Sequence, residues 1–166
     1  TVIAGNFGMA MNGTHYFEML RYMSDDSPAE VSAWFSPEDV PNPRGPQFLD
    51  KAGSVRVTTR SGKRFYMDIS SDQGHGMLAV YPARNGRIVV DEMTGEMKTV
   101  VREAEHRDLP TTRYAMPCRE TTIKIAPADT VAPTKAVLRA LLAGGDYPTG
   151  EDGRKAVEVL VAAYVS

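Results

Sequence analysis

Few residues in this chain have types and spacing suited to chemistry, and the segment Met11-Asn12-Gly13-Thr14-His15-Tyr16-Phe17-Glu18-Met19-Leu20 gathers several of them. Gly13 reads as a turn that delivers His15 to the first turn of an amphipathic helix. An imidazole changes charge near neutral pH, so a histidine fixed on a rigid element at the mouth of a cleft can serve as a general acid or base. The plainer alternative is a half-buried helix-start residue hydrogen-bonded to backbone. Asn12 has three uses open to it: a hydrogen bond to a substrate hydroxyl, a helix cap, or a left-handed turn position before Gly13. Capping is the commonest of the three.

The remaining candidates offer less. His15, His75 and His106 lie in separate segments with no two at ligand spacing and one cysteine to help, so the pattern holds no metal site. Cys118, between Pro117 and Arg119, could be activated by the cation, yet a lone cysteine more often serves as a small buried hydrophobe. His75 sits between glycines and reads as a loop residue. His106, within Arg102-Glu103-Ala104-Glu105-His106-Arg107-Asp108, reads as part of a solvated charged face. A dinucleotide fingerprint needs Gly-x-Gly-x-x-Gly between a strand and a helix. Gly5-Asn6-Phe7-Gly8 lacks that spacing and Gly74-His75-Gly76 leads into a strand, so no cofactor-binding residues are expected here.

These residues must be positioned by a chain of 166 residues, a length that fits one domain, 1–166. Hydrophobic residues at 42%, charged residues at 24% and a net charge of -2 describe an ordinary globular protein with no electrostatic pull toward nucleic acid or anionic lipid. No stretch approaches the roughly 18 apolar residues of a membrane span. The single cysteine points to a reducing, cytoplasmic setting. The first residue is Thr1 with no basic region ahead of an apolar one, so the start reads as a processed or cut end, and the chain as a piece of something longer.

Tyr16, Met19, Leu20 and Met23 recur at helical spacing, which predicts a helix over 14–23, ended by Ser24-Asp25-Asp26-Ser27-Pro28. A β-branched and aromatic run predicts a strand over 30–35, followed by a proline-rich surface loop through Pro37, Pro41, Pro43 and Pro46. Residues 54–70 form a hairpin. A two-residue turn at Ser61-Gly62 would split its apolar face, whereas a three-residue loop, Ser61-Gly62-Lys63, pairs Val55 with Ile69, Val57 with Met67 and Thr59 with Phe65. Further strands are expected at 76–81, 87–92 after Asn85-Gly86, 96–101 after Thr94-Gly95, and 121–125, with 113–117 ambiguous. Two helices close the chain: 131–143, stopped by Gly144-Gly145, and a second capped by Thr149 with Asp152 three residues on. The order is that of an α+β fold, an open, mainly antiparallel sheet with helices packed on one face.

Three stretches in this order resemble the C-terminal domain of the glucose-fructose oxidoreductase and inositol dehydrogenase family (Gfo/Idh/MocA). Asn12-Gly13-Thr14-His15-Tyr16-Phe17 through Met23 is similar to the family's "Asp-x-Gly-x-His, then helix" segment. The strands of 54–91, including Asn85-Gly86-Arg87-Ile88-Val89-Val90-Asp91, resemble its strand after a glycine turn, and the run from Tyr147 through Gly150-Glu151-Asp152-Gly153 to Ala162-Ala163-Tyr164-Val165-Ser166 resembles its closing helix. Each motif alone is weak; order and spacing carry the likeness over nearly the whole chain.

The resemblance implies that the chain is the substrate-binding half of an NAD- or NADP-dependent oxidoreductase acting on a sugar, polyol or related hydroxy compound. A Rossmann domain outside it would hold the cofactor. His15 matches the family histidine that moves a hydroxyl proton together with an aspartate four positions earlier and a lysine from the Rossmann domain, with Asn12 and Tyr16 orienting substrate. Met11 stands at the aspartate position and cannot relay a proton, so either Asn12 substitutes, the proton path differs, or activity is lost. The alternative is a non-catalytic ligand-binding or oligomerisation module. A homo-oligomer through the sheet is expected on either reading, because Tyr66, Tyr81 and several methionines are candidates for an exposed apolar face.

Overall fold

The computed structural model describes all residues except 6, 7, 43, 71, 75 and 112–115. The ambiguous segment 113–117 and the loop position of His75 therefore fall partly or wholly outside the described residues. Eight strands form one sheet: β1 (Val2–Gly5), β2 (Pro28–Asp39), β3 (Lys51–Thr59), β4 (Arg64–Ser70), β5 (Leu78–Ala83), β6 (Gly86–Asp91), β7 (Glu96–Arg102) and β8 (Cys118–Lys124). Their order across the sheet is β2-β3-β4-β1-β5-β6-β7-β8, antiparallel throughout except where β1 runs parallel to β4. The α+β expectation holds, with one mixed seam.

The strand β1 has no counterpart in the sequence reading. Val2-Ile3-Ala4-Gly5 is too short to show a period, yet it fills the sheet's centre, and Val2 and Ala4 are fully buried. β2 extends past its expected end and passes through Pro37. As an edge strand it has no neighbour on one side, and Pro37 falls at an irregularity in pairing between Phe35 and Asp39, so its missing N–H costs no ladder bond.

The β3–β4 hairpin keeps a three-residue loop but places it one residue earlier, at 60–62. Thr59 pairs with Lys63 through its N–H, Val55 with Met67 and Val57 with Phe65. The pairing differs from the expected register by two residues, so every side chain stays on its expected face. Gly62 decides the position. At φ +83° it takes the left-handed third place of the loop, which a three-residue hairpin requires. At the next turn the two central residues are Arg84 and Asn85, and Gly86 is already strand, paired with Ala83 at a place where a Cβ would lie 2.1 Å from the Val100 carbonyl oxygen.

Helix α1 (Met9–Ser24) starts five residues ahead of the expected helix, so Gly13 is an interior helix residue rather than a turn. It is buried where a side chain would press on Met9 and Phe17. Helix α2 (Val131–Ala143) has its expected bounds and ends at Gly144 with φ 66°. Helix α3 (Gly150–Val165) has the expected capping box between Thr149 and Asp152. α1 and α3 lie on one face of the sheet and share its core: Met9, Phe17 and Leu20 from α1, Ala156, Val159 and Ala163 from α3, and Val55, Val57, Phe65, Met67 and Ile69 beneath them. Phe17 meets Phe65 edge-on at 6.1 Å. Burying a side chain of this size contributes about 1.5–3 kcal/mol. α2 takes no part in this core: none of its residues is buried, and Leu138, Leu141 and Leu142 are exposed.

Candidate functional site

The site begins with what fixes α1. Gly8 precedes the helix and offers no side chain to cap it; the cap comes from Asp50, at the start of β3, which is 1% exposed. The N–H groups of Ala10 and Met11 donate to its two carboxylate oxygens at 2.7 and 3.0 Å, and the Lys51 N–H donates to one of them at 2.9 Å. Tyr164 Oη of α3 donates to Asp50 at 3.4 Å and its ring stacks on Phe35 at 4.7 Å. Burial and the Asp50 charge push the Tyr164 phenol up to about 12. Asp50 thus ties α1 to β3 and α3. Nothing local in Leu49-Asp50-Lys51 announces this, since the two helices it ties down lie about 40 and 114 residues away.

With that start set, the helical period distributes the side chains. Met9, Gly13, Phe17 and Leu20 face the core. Arg21 reaches α3, bonding Asp152 at 3.0 Å. On the opposite flank stand Asn12, Tyr16 and Met19, with His15 outward of them and exposed. Two expectations are corrected here. Asn12 is the fourth helical residue, so it neither caps the helix nor sits in a left-handed turn, and His15 is on the second turn rather than the first.

This flank faces the part of the sheet that α1 and α3 leave bare. Tyr81 alternates with Val80 to lie on the same face as buried Ala79, and its hydroxyl approaches Met19 Sδ at 3.1 Å. The expectation that Tyr81 shares an exposed face with Tyr66 is therefore wrong. Tyr66 is 42% exposed on the far face and Tyr81 is half-buried under α1. Register carries the bare face on from Tyr81 to Ile88, Thr99 and Thr121, and alongside from Val90 to Met97 and Ile123. A groove of about 590 Å³ opens along the second half of α1 and shares Met19 and Tyr81 as walls. Tyr16 is pushed up to about 12, first by burial and then by the charge of Glu92 and by Tyr81. The same burial and the Glu92 charge raise Tyr81. Both phenols are hydrogen-bond donors at neutral pH. Sequence singled out Tyr81 only as a candidate for an exposed apolar face, and Glu92 not at all.

The other candidates stay apart from this corner. His106 ends a short 3-10 turn (Ala104–His106), is half-buried rather than on a solvated face, and its Nδ1 has no hydrogen-bond partner among the described residues. Cys118 is half-buried at the start of β8. Among the described residues no three His, Cys, Asp or Glu side chains are grouped to hold a metal. Among the described residues no helix is long and apolar enough to cross a membrane.

A nucleotide cofactor does not fit the helix ends. Its phosphates would need open N–H groups at a helix N-terminus, but α1 is closed by Asp50. α2 is closed by Asp129, which accepts from Val131 and Ala132 at 2.8 and 3.2 Å, and α3 is closed by the Thr149–Asp152 box. Three aspartates stand where a pyrophosphate would have to sit.

No protein-family model matches the chain, and no curated protein matches it by sequence. Solved structures do match. UDP-N-acetylglucosamine 3-dehydrogenase from Acidithiobacillus ferrooxidans is 15% identical with a TM-score of 0.67, covering 99% of this chain and 54% of its own. Its fold is that of the C-terminal domain of Gfo/Idh/MocA-type oxidoreductases. Aldose-aldose oxidoreductase from Caulobacter crescentus (17% identity, TM-score 0.64, 99% and 52% covered) and a levoglucosan dehydrogenase (15%, 0.64, 99% and 55%) share the Gfo/Idh/MocA architecture. The chain spans about half the length of these structures.

Proposed function

We propose that this chain is the substrate-binding half of an NAD- or NADP-dependent oxidoreductase acting on a sugar, polyol or related hydroxy compound. The carrying observation is the corner between the Asn12–His15–Tyr16 flank of α1 and the bare sheet, in a fold whose neighbours include a sugar dehydrogenase solved with NADH and levoglucosan. His15 would take or give the proton of the reacting hydroxyl, while Asn12 and the protonated Tyr16 orient neighbouring hydroxyls. Oxidation and reduction belong to a cofactor-bearing Rossmann domain outside this chain, consistent with three helix N-termini already closed by carboxylates. In a parent carrying that domain, His15→Ala is expected to lower turnover by roughly 10²–10⁴, and the 166-residue chain alone should not bind NADH in a fluorescence titration. Tight NADH binding by the chain, or full turnover without His15, refutes the reading.

A second reading, a non-catalytic module, is favoured by one observation: Met11 stands four residues before His15, on the same face, where a proton relay would need a carboxylate. Under it His15→Ala leaves ligand binding and assembly unchanged. On both readings we propose self-association through the sheet, because Trp34 (67% exposed) and Tyr66 stand on its far face. A monomeric mass in light scattering at micromolar concentration would refute it.

A further inference from the structure

The centre of the sheet contains a slot. β1 begins opposite Met67 of β4 and Ala79 of β5, whereas β4 begins three residues earlier at Arg64 and β5 runs on to Ala83. Residues 64–66 and 81–83 therefore flank a gap with no strand between them among the described residues. β1 holds its two neighbours roughly 9–10 Å apart, the width of one intervening strand. The groove of about 590 Å³ is this gap. Its walls include both Phe65 and Tyr66, and both Val80 and Tyr81, consecutive residues whose side chains point to opposite faces, so the opening passes between the strands. Leu20 and Met23 of α1 roof it on the helix side.

Backbone groups face into the slot. The Thr59 N–H donates to the Lys63 carbonyl at 2.9 Å, so alternation turns Phe65 and Met67 toward β3, and Arg64 and Tyr66 toward the slot. On the other side Thr1 and Val80 exchange both their bonds at 2.9 and 2.8 Å, which turns Pro82 to the slot as well. That pair also fixes direction: whatever is bonded to the Thr1 nitrogen is aimed between β4 and β5. We infer that the slot takes an extended segment that runs into Thr1 and continues β1 backwards, the entry strand from the cofactor-bearing domain. The source of the segment rests on the substrate-domain reading; its bonding pattern does not. Its last residue before Thr1 sits opposite Phe65, accepts from the Tyr66 N–H, donates to the Arg64 carbonyl and turns its side chain, like buried Val2, under Leu20. The residue before that points to the far face and donates to the Pro82 carbonyl, which offers no N–H in return. The two halves are then joined by a strand of the sheet rather than a free tether, at the place where Tyr81 meets Met19 of α1.

The test is amide hydrogen exchange on the 166-residue chain with and without a three-residue extension, Lys-Thr-Val, ahead of Thr1. The extension should slow exchange of the Tyr66 N–H at least about tenfold and leave Met67, already paired with β3, unchanged. Face preference supplies a control: Lys-Thr-Asp, which puts a carboxylate under Leu20 and Met23, should lose the protection, and Lys-Asp-Val, with its charge on the far face, should keep it. A Tyr66 N–H as protected without the extension as with it, or protection that ignores the position of the Asp, overturns the inference. Protection of the unextended chain that grows with protein concentration would put a second copy's strand in the slot and overturns it equally. In the cofactor-carrying parent the same amide should be protected, and His15→Ala separates the two failures. Lost turnover with a fast-exchanging Tyr66 sinks this inference alone, whereas retained turnover with a protected Tyr66 keeps the strand and sinks the function.

Discussion

Removing the Asp50 carboxylate should loosen the element that carries His15, and the structure fixes the size of the effect. Asp50→Ala leaves the N–H groups of Ala10 and Met11 without acceptors in a site where the carboxylate is 1% exposed. An unsatisfied buried donor costs roughly 1–3 kcal/mol, and a charge at a helix N-terminus adds about 0.3–1 kcal/mol. Two donors near the lower half of that range plus the dipole give about 4 kcal/mol. At roughly 2–4 °C per kcal/mol for a chain of this size, the thermal midpoint should fall by about 8–16 °C in calorimetry. Gly8 supplies a stricter check. A Cβ there would lie 2.1, 2.3 and 2.6 Å from Asp50 Cγ and its two oxygens, all atoms that Asp50→Ala removes. Gly8→Ala should therefore destabilise the native chain by about 2–3 kcal/mol and the Asp50→Ala variant by less than about 1, a coupling of about 2 kcal/mol in a double-mutant cycle. Additive effects, or a midpoint shift under about 3 °C for Asp50→Ala, would show that Asp50 does not close α1.

Other outcomes follow from single features. Gly62→Ala, at φ +83° with nothing within 4 Å of the new Cβ, should cost about 1 kcal/mol from backbone strain alone. Gly153→Ala, in the interior of α3 and equally unobstructed, should gain about 0.5–1 kcal/mol; urea midpoints of opposite sign check both. Tyr16 and Tyr164, each pushed up to about 12, bind their protons more tightly folded than unfolded, so stability should be intact below pH 10 and decline as pH rises from about 10 through 12. Tyr16→Phe should flatten part of that decline in pH-dependent urea melts, and an unchanged slope would place Tyr16 in water.

Helix α2, the capping box of α3, the three-residue hairpin and the strand alternation of β6 and β7 are local devices. Each is written in residues within a few positions of one another: Gly144 after an apolar period, Thr149 with Asp152, and Gly62 in a loop. Sequence therefore determined them, and with them the α+β class and a histidine on the first helix. Where α1 begins was not local, because its cap arrives from Asp50, some 40 residues on. That one contact turned Gly13 from a turn into a packed helix residue and moved Asn12 from cap to flank. The central strand β1 is stabilised by pairing with β4 and β5 and by burial of Val2 and Ala4, and four residues carry no period of their own. The approach of Tyr81 to the Tyr16–Met19 flank of α1 is likewise a product of sheet order. Side-chain alternation assigns Tyr81 to one of two faces but not to which face the helices cover, and only the packing of α1 against β5 brought it under Met19.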